Sequence, residues 1–157
     1  MVNILFVCLG NICRSPAAEG ILKHFAAQNN FPLELHIESC GLGDWHIGHL
    51  PDERMRDTAK ARGVILSSRA QKFQLKFFDT FDYILVADQP VLRELYQYAT
   101  NAEQKAKIHL MTDFSSSYKG QEVPDPYYRG EGDFELVLDM LEDSCEGLLK
   151  NLLNKNL

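Results

Sequence analysis

The sequence predicts an α/β fold in which a parallel β-sheet carries helices on both faces, giving three layers. Short apolar runs of strand length alternate along the chain with longer segments of helical periodicity, which is typical of repeated strand–helix units. Residues 81–87 form an apolar run of the kind found in strands buried on both faces of a sheet. The 157 residues are enough for one full core, so we expect residues 1–157 to form a single domain.

The first half of the chain predicts two strands and a helix. A strand is expected over residues 2–7 and a helix over residues 16–28, where apolar side chains recur on one helix face. Residues 33–39 alternate between apolar and polar side chains, which indicates an edge strand with one solvated face. Residues 40–51 hold three glycines without any period, and they predict a loop.

The middle of the chain predicts two further helices around the buried strand. A helix is expected over residues 52–62, and a short helix is expected to open at residues 67–71. After the strand at 81–87, Asp88 is suited to cap a helix over residues 89–98.

The last third of the chain predicts a short strand, a long loop and a final helix. The strand is expected over residues 106–111 and the helix over residues 133–153, which carries an apolar stripe. Residues 112–132 are rich in Ser, Pro, Gly and Tyr, and loops of this length in compact domains are commonly functional.

Composition and charge exclude several classes of function. The net charge of −6 argues against nucleic acid as a partner, because backbone binding needs basic surface. The apolar runs are too short for membrane insertion, and the N-terminus lacks a basic region typical of signal peptides. Four cysteines fit a reduced protein with one reactive thiol better than a disulfide scaffold, so we expect a cytoplasmic location.

The most informative stretch joins the first strand to the first helix and reads Val7-Cys8-Leu9-Gly10-Asn11-Ile12-Cys13-Arg14-Ser15-Pro16. A short loop entering a helix points its backbone N–H groups inward and forms an anion nest at the positive end of the helix dipole. Arg14 adds a planar guanidinium suited to a tetrahedral oxyanion. This field favours the thiolate form of Cys8. The stretch therefore predicts a sulfur nucleophile on the floor of a phosphate site.

Each residue of the stretch also has an ordinary interpretation. Cys8 alone is compatible with a buried strand-end cysteine, and Arg14 with a surface helix residue. Ser15 and Pro16 suit an N-cap and a first-turn proline. Their conjunction, a cysteine separated by five residues from Arg-Ser at a strand–helix junction, favours catalysis.

The stretch resembles the phosphate-binding loop of the low-molecular-weight protein tyrosine phosphatases. The resemblance runs nearly end to end and includes residues 43–48, 80–85 and 123–128. It implies a four-stranded parallel sheet in the order 2-1-3-4. It also implies hydrolysis of a phosphotyrosine-containing protein or a small aryl phosphate through a phosphocysteine intermediate, with inorganic phosphate as product and without metal or cofactor.

The chemistry needs a nucleophile, a site for the phosphoryl oxygens and an acid for the leaving oxygen. Cys8 is the expected nucleophile, and Arg14 with the loop backbone is expected to neutralise the phosphoryl charge. Asp125, between two prolines, is the expected general acid and then the base for the hydrolytic water, although turn aspartates are common before proline. The family's Asp-Pro-Tyr motif matches it. Ser15 is expected to hydrogen-bond the sulfur of Cys8.

Substrate contacts are expected from the loop and from three aromatic side chains. The loop residues expected to bind phosphate are Leu9, Gly10, Asn11, Ile12 and Cys13. The aromatic residues expected to wall a slot for the ring, together with Leu9 and Ile12, are Trp45, Tyr127 and Tyr128. The alternatives are a core plug for the tryptophan and simple loop packing for the tyrosines. Asn11 is expected to hold a left-handed turn, with Ser39 as the partner that the resemblance implies.

The second loop cysteine suggests a redox role, and some positions depart from the family pattern. Cys13 is expected to form a reversible disulfide with Cys8 under oxidation, which the resemblance supports. Ser68 and Gln71 stand where many members have histidine and arginine, and that histidine belongs to the network supporting the loop. Asp88 matches an acidic position of the family, but we interpret it first as a helix cap.

Several alternatives remain at this stage. An arsenate reductase on the same fold needs resolving cysteines, which Cys40 and Cys145 do not obviously supply. A protein-arginine phosphatase is favoured by threonine where this chain has Ile12. A silent phosphotyrosine-binding module does not need an intact nucleophile and acid. His46 and His49 lack the neighbouring ligands of a metal site, so no metal is expected.

Overall fold

A computed structural model of the chain describes residues 1–128 and 131–155. Its sheet has four parallel strands in the order β2-β1-β3-β4. The strands are β1 (Val2–Cys8), β2 (Leu35–Gly41), β3 (Tyr83–Val86) and β4 (Ile108–Leu110). The predicted α/β class and the 2-1-3-4 order are confirmed.

The described helices cover both faces of the sheet. They are α1 (Arg14–Gln28), α2 (Glu53–Ala61), α3 (Phe77–Thr80), α4 (Gln89–Tyr98), α5 (Ala102–Ala106) and α6 (Glu131–Lys155). Two 3-10 turns, Met111–Phe114 and Pro126–Tyr128, lie in the long loop. None of the helices in the described ranges combines the length and apolar character needed to cross a membrane.

Strand β1 supplies side chains to two separate cores. Ile4 and Phe6 pack on the side of α1, α2 and α6, whereas Leu5 and Val7 pack on the side of α3 and α4. Alternation along a strand therefore places Cys8 on the α1 side as the strand ends. This geometry delivers the sulfur to the carboxyl edge of the sheet, where ligands of open α/β sheets bind.

The short helix predicted at residues 67–71 is wrong, because this segment has neither helical nor strand structure. The backbone of this segment forms hydrogen bonds with distant parts of the chain instead of the local bonds of a helix. Ala70 donates its N–H to the carbonyl of His49 at 2.9 Å, and Gly41 donates to the carbonyl of Gln71 at 2.8 Å. These long-range partners override a local helical preference, and the segment braces the loop that follows β1.

Other boundaries differ by a few residues. Strand β2 continues to Gly41, beyond the predicted end at residue 39, and so lies beside Cys8. Helix α1 begins at Arg14, within the loop motif. The five-residue helix α5, capped by the Asn101 side chain, precedes a fourth strand shorter than predicted.

The long loop is tied to the rest of the fold at two places. Asp143 on α6 accepts hydrogen bonds from the Ser115 hydroxyl and from the backbone N–H groups of Ser116 and Ser117. At the other end, Val123 donates its N–H to the carbonyl of Ala87 at 2.8 Å. The second tie extends the pairing beyond β3 and brings the following residues over the end of the sheet.

Candidate active site

A cleft of about 390 Å³ opens at the carboxyl end of β1. Three distant segments of the chain contribute to it: the loop after β1, the loop after β2 and the turn before α6. The cleft is lined by Cys8, Leu9, Gly10, Ile12, Cys13, Arg14, Trp45, His46, Asp125 and Tyr127. Most of the residues predicted to act in catalysis or binding therefore share one cavity.

The loop after β1 is held with its carbonyls outward. The backbone N–H groups of Leu42 and Gly43 donate to the carbonyls of Cys8 and Leu9 at 3.1 and 2.9 Å. Because the N–H of a trans peptide points opposite to its C=O, these bonds turn the N–H groups of the loop toward the cleft. Gly41 permits the close approach, since a β-carbon there would lie 2.8 Å from the carbonyl oxygen of Leu9.

Asn11 shapes the loop from behind rather than lining the cleft. Its φ angle is 57°, the left-handed conformation that asparagine tolerates well. Its backbone N–H donates to the sulfur of Cys8 at 3.3 Å. Its side chain is buried and faces Ser15 and Ser39, so its predicted turn role describes its position better than a direct contact with phosphate.

The buried carboxylate of Glu19 sets the direction of the hydrogen bonds behind the loop. It accepts from the Ser39 hydroxyl and from the Lys23 ammonium, both at 2.6 Å. A carboxylate can only accept hydrogen bonds, so the Ser39 hydroxyl donates its single proton to Glu19. The same hydroxyl accepts a hydrogen bond from Asn11 Nδ2 at 3.0 Å. The Asn11 amide is thereby oriented, and its Oδ1 accepts the backbone N–H of Gln71 at 2.9 Å.

The hydroxyl of Ser15 can donate its hydrogen bond to the sulfur of Cys8. Its Oγ accepts from Asn11 Nδ2 at 2.8 Å and lies 2.9 Å from the sulfur of Cys8. The carbonyl of Cys40, at 3.3 Å, is the more distant acceptor for the same hydroxyl. With Asn11 as donor to its oxygen, Ser15 can donate its proton to the sulfur of Cys8.

Arg14 is buried and bound from several sides. Its Nη1 lies 2.6 Å from Asp88 Oδ2 and 3.0 Å from the carbonyl of Val123, and its Nη2 lies 3.6 Å from Asp125 Oδ2. Burial alone lowers the pKa of Arg14, but the negative charges of Cys8, Asp88 and Asp125 raise it above its ordinary value. The guanidinium is therefore a permanent positive charge aimed into the cleft.

Asp88 has both roles considered for it. Its Oδ1 accepts the backbone N–H of Val91 at 3.1 Å and caps α4, while its Oδ2 holds Arg14. The sequence ranked the cap first, because the partner of the second oxygen lies 74 residues away.

Asp125 stands at the open side of the cleft. Its Oδ1 accepts the backbone N–H of Tyr127 at 3.1 Å, which caps the second 3-10 turn. Its side chain is 36% exposed, in contrast to the 3% exposure of Arg14. A carboxyl group oriented by one oxygen and reachable by solvent through the cleft has the geometry of a general acid.

The wall of the cleft is aromatic. Trp45 is 64% exposed and is therefore not a core plug, and its ring lies against Gly43, where any β-carbon would collide with it. The ring of His46 lies 6.2 Å from that of Tyr127. His46 is a cleft residue that sequence reasoning missed, and its position beside Trp45 in the glycine motif was the available signal. The side chain of Tyr128 lies outside the described residues.

The four cysteines are unpaired and buried, but they differ in position. Cys13 lines the cleft, and burial raises its pKa, so it remains a thiol at neutral pH. Burial also raises the pKa of Cys40 and of Cys145, and neither lines the cleft. In the described part of the chain, no group of three or more His, Cys, Asp or Glu side chains is placed to hold a metal ion.

The departures at residues 68 and 71 have different consequences. In the described ranges, no hydrogen bond joins Ser68 to the loop after β1. Gln71 supports that region instead, since its side-chain Nε2 donates to Glu38 Oε1 at 2.9 Å and to the carbonyl of Ser39 at 3.0 Å. Gln71, at the position where many family members have arginine, also donates its backbone N–H to the Oδ1 of Asn11 and so supports the loop.

Comparison with known proteins finds one family whose model matches nearly the whole chain. The family model for low molecular weight phosphotyrosine protein phosphatase matches residues 3–157. A low molecular weight protein-tyrosine-phosphatase of Bacillus subtilis is 35% identical over 153 residues, which cover 97% of this chain and 96% of the relative.

Solved structures agree in fold over the whole chain. A protein tyrosine phosphatase from Entamoeba histolytica superposes with a TM-score of 0.94 at 40% identity, covering 100% of both chains. A Drosophila arginine phosphatase superposes with a TM-score of 0.87 at 32% identity, covering 95% of this chain and 96% of the other.

The direction of the bonds behind the loop can be tested with Glu19→Gln. A glutamine amide can donate as well as accept, so Ser39 no longer has to accept from Asn11, and only the backbone N–H of Gln71 still orients the Asn11 amide. With one of its two anchors lost, Asn11 donates less firmly to Ser15, and Ser15 donates to Cys8 in fewer molecules. We expect alkylation of Cys8 by iodoacetate at pH 7 to slow by about three- to tenfold, the size of one neutral hydrogen bond. Glu34→Gln, at an exposed position, is the control. An unchanged alkylation rate in a folded Glu19→Gln protein would contradict the interpretation.

Proposed function

This chain belongs to the low molecular weight phosphotyrosine protein phosphatase family, and from that membership we propose that residues 1–157 form one phosphatase domain acting on phosphotyrosine in proteins and on small aryl phosphates. The enzyme is a protein-tyrosine phosphatase, a hydrolase of phosphoric monoesters. One observation carries the assignment of its site. The Cys8 sulfur, the buried Arg14 guanidinium and the Asp125 carboxyl meet in a single cleft.

In the first step, the Cys8 sulfur attacks phosphorus in line with the ester oxygen. The S–P bond forms as the P–O bond breaks, and Asp125 gives its proton to the departing phenolate oxygen. Arg14 and the inward N–H groups of the loop hold the three equatorial oxygens, whose charge they neutralise throughout. The products are a free phenol and a phosphocysteine.

In the second step, water replaces the sulfur. Asp125, now ionised, takes a proton from the water, whose oxygen attacks phosphorus as the P–S bond breaks. The departing thiolate is received by the hydroxyl of Ser15 at 2.9 Å. Inorganic phosphate leaves, and Cys8 and Asp125 regain their starting protonation states. The protein's own groups are sufficient for both steps, so we propose that neither metal nor cofactor takes part.

The shape of the cleft favours an aryl ester. Cys8 is 2% exposed, so a reacting phosphoryl group lies deep below the rim. Trp45 and Tyr127 flank that depth with aromatic surface, and Leu9 and Ile12 add apolar surface at the floor and edge. A phosphotyrosine ring spans such a depth, whereas phosphoserine is too short to do so. Tyr128 is proposed as a further wall residue from its place in the sequence.

Three other activities fit the residues less well. One structural neighbour is named an arginine phosphatase, but the cleft presents the apolar Ile12, which suits a ring better than a guanidinium. Arsenate reduction would have to recruit Cys40 or Cys145, both buried away from the cleft. A silent binding module has no need for the oriented Asp125 carboxyl.

Net charge and the state of the cysteines bear on the partners and the cellular location of the enzyme. A net charge of −6 disfavours nucleic acid as a partner. Four unpaired cysteines agree with a reducing compartment, and we propose a cytoplasmic location.

Hydrolysis of p-nitrophenyl phosphate by wild type and by Cys8→Ser tests the function. We expect wild-type turnover that a chelator leaves unchanged, and a loss of several orders of magnitude in Cys8→Ser with phosphate binding retained. Cys145→Ala is the control for removal of a remote thiol, and phosphoarginine offered to the wild type tests the arginine-phosphatase alternative. Equal activity in Cys8→Ser and wild type would remove Cys8 as the nucleophile.

The general acid is tested by Asp125→Asn, which keeps the shape of the side chain but has no proton to give. For phenyl phosphate, whose leaving group is poor, we expect turnover to fall by about a hundredfold or more. For 2,4-dinitrophenyl phosphate, whose phenolate leaves without help, the loss should stay within about tenfold. Asp79→Asn, at an exposed position of α3, serves as the control. Equal losses for the two esters would exclude Asp125 as the acid.

Oxidation is expected to join Cys8 and Cys13. Peroxide converts the Cys8 thiolate to a sulfenic acid, and the Cys13 thiol then displaces water to form the disulfide. Titratable thiols should fall from four to two after mild peroxide treatment, and dithiothreitol should restore both thiols and activity. In Cys13→Ser the inactivation should become largely irreversible. A count that stays at four while activity is lost would contradict the disulfide.

A further inference from the structure

Arg54, in the first turn of α2, is locked to its neighbour Asp52. Its Nε and Nη2 lie 3.1 and 3.0 Å from the two oxygens of Asp52, a bidentate pair. The same carboxylate caps α2 by accepting the backbone N–H of Arg54 at 2.9 Å. Burial acts to raise the pKa of Asp52, but the hydrogen bonds from Arg54 lower it below its ordinary value. The pair is therefore charged and oriented at neutral pH.

The guanidinium of Arg54 is also seated between two aromatic rings. Its central carbon lies 5.5 Å from the ring centroid of Tyr127 and 4.9 Å from that of Phe134. Its Nη2 donates to the backbone carbonyl of Tyr127 at 3.1 Å. A planar guanidinium can stack on rings and donate in its own plane at the same time, which an ammonium group cannot do. Arg54 thus holds both the ring and the backbone of Tyr127.

Asp52 connects this arrangement to the phosphate loop. Its backbone N–H donates to the carbonyl of Ile12 at 2.7 Å, on the outer side of that loop. The chain of contacts Ile12–Asp52–Arg54–Tyr127 therefore spans from the floor of the cleft to its aromatic wall. It does so through side chains distinct from those that hold Arg14.

We propose that Arg54 is a positioning residue that holds the Tyr127 ring at a set distance from the phosphate loop and thereby determines the preference for aryl over ring-free phosphate ligands. The proposal rests on the phosphatase function proposed above and deepens it. The phosphoryl group needs only the loop and Arg14, whereas the ring of the ligand needs a wall in the correct place. We expect loss of Arg54 to let the Tyr127 ring move while the phosphate loop keeps its conformation.

The experiment compares two competitive ligands, inorganic phosphate and phenylphosphonate, which differ by the ring. Arg54→Met removes the guanidinium but keeps an unbranched side chain. We expect its inhibition constant for phenylphosphonate to rise by about fivefold, the upper range of one solvent-exposed cation–π contact, while that for inorganic phosphate changes by about twofold or less. The same variant should lose kcat/KM for phenyl phosphate mainly through KM.

Two further variants separate charge from geometry. Arg54→Lys keeps the charge but loses the bidentate stacked arrangement, and we expect it to recover less than half of the lost selectivity on a logarithmic scale. Asp52→Asn keeps a good helix cap but weakens the grip on Arg54, so the selectivity should shift in the same direction by a smaller amount. Arg56→Met, two residues along the same helix, is the matched control, because Arg56 bonds to the carbonyl of Pro51 instead.

The outcomes distinguish the two proposals. If both inhibition constants rise together, Arg54 supports the phosphate loop and the inference is overturned. If neither changes in a variant whose urea denaturation shows a folded protein, Arg54 is a surface residue and the inference is equally overturned. Direct binding of the two ligands can be measured by calorimetry without turnover. A wild type that binds both but does not hydrolyse aryl phosphates contradicts the proposed function and leaves the Arg54 measurement valid.

Discussion

The orientation of the Asn11 amide determines the direction of the hydrogen bonds behind the phosphate loop, and it is fixed by Glu19 through Ser39 and by the backbone N–H of Gln71. The carboxylate has no proton to offer, so Ser39 accepts from Asn11, and the backbone N–H of Gln71 holds the other end of the same amide. With the amide fixed in this way, Ser15 also accepts from Asn11. That order leaves the proton of Ser15 for the sulfur. The reactivity proposed for the nucleophile thus depends on a group that lies outside the cleft and never meets the substrate.

At the front of the cleft, the positively charged guanidinium of Arg14 is the central group. Arg14 is almost fully buried and is held by Asp88, by the carbonyl of Val123 and more loosely by Asp125. The short contact to Asp88 orients the guanidinium, and the longer approach to Asp125 leaves that carboxyl available for proton transfer. A buried cation without these partners would be costly, so the acidic neighbours serve stability and catalysis together.

Most of the site residues that the sequence predicts lie close together in the chain, whereas those found only in the structure have partners that are distant in sequence. The loop from Cys8 to Arg14 is contiguous, and its strand–loop–helix setting follows from local hydrophobic pattern and helix-capping rules. Glu19 resembled an ordinary polar residue of a helix, and Arg54 a solvated one. The segment at residues 67–71 was mistaken for a helix because its hydrogen-bond partners, His49 and Gly41, lie far back in the chain.

By itself the sequence determined the strand and helix alternation, the anion-binding loop and the identity of its nucleophile, because each depends on residues close together in the chain. Tertiary structure alone decided which acid orients Arg14 and what holds Tyr127. Those contacts join positions 73 to 109 residues apart, as in the bonds of Arg14 to Val123 and of Arg54 to Tyr127. No local propensity encodes such distances, since they arise only when the parallel sheet brings the ends of its strands to one edge.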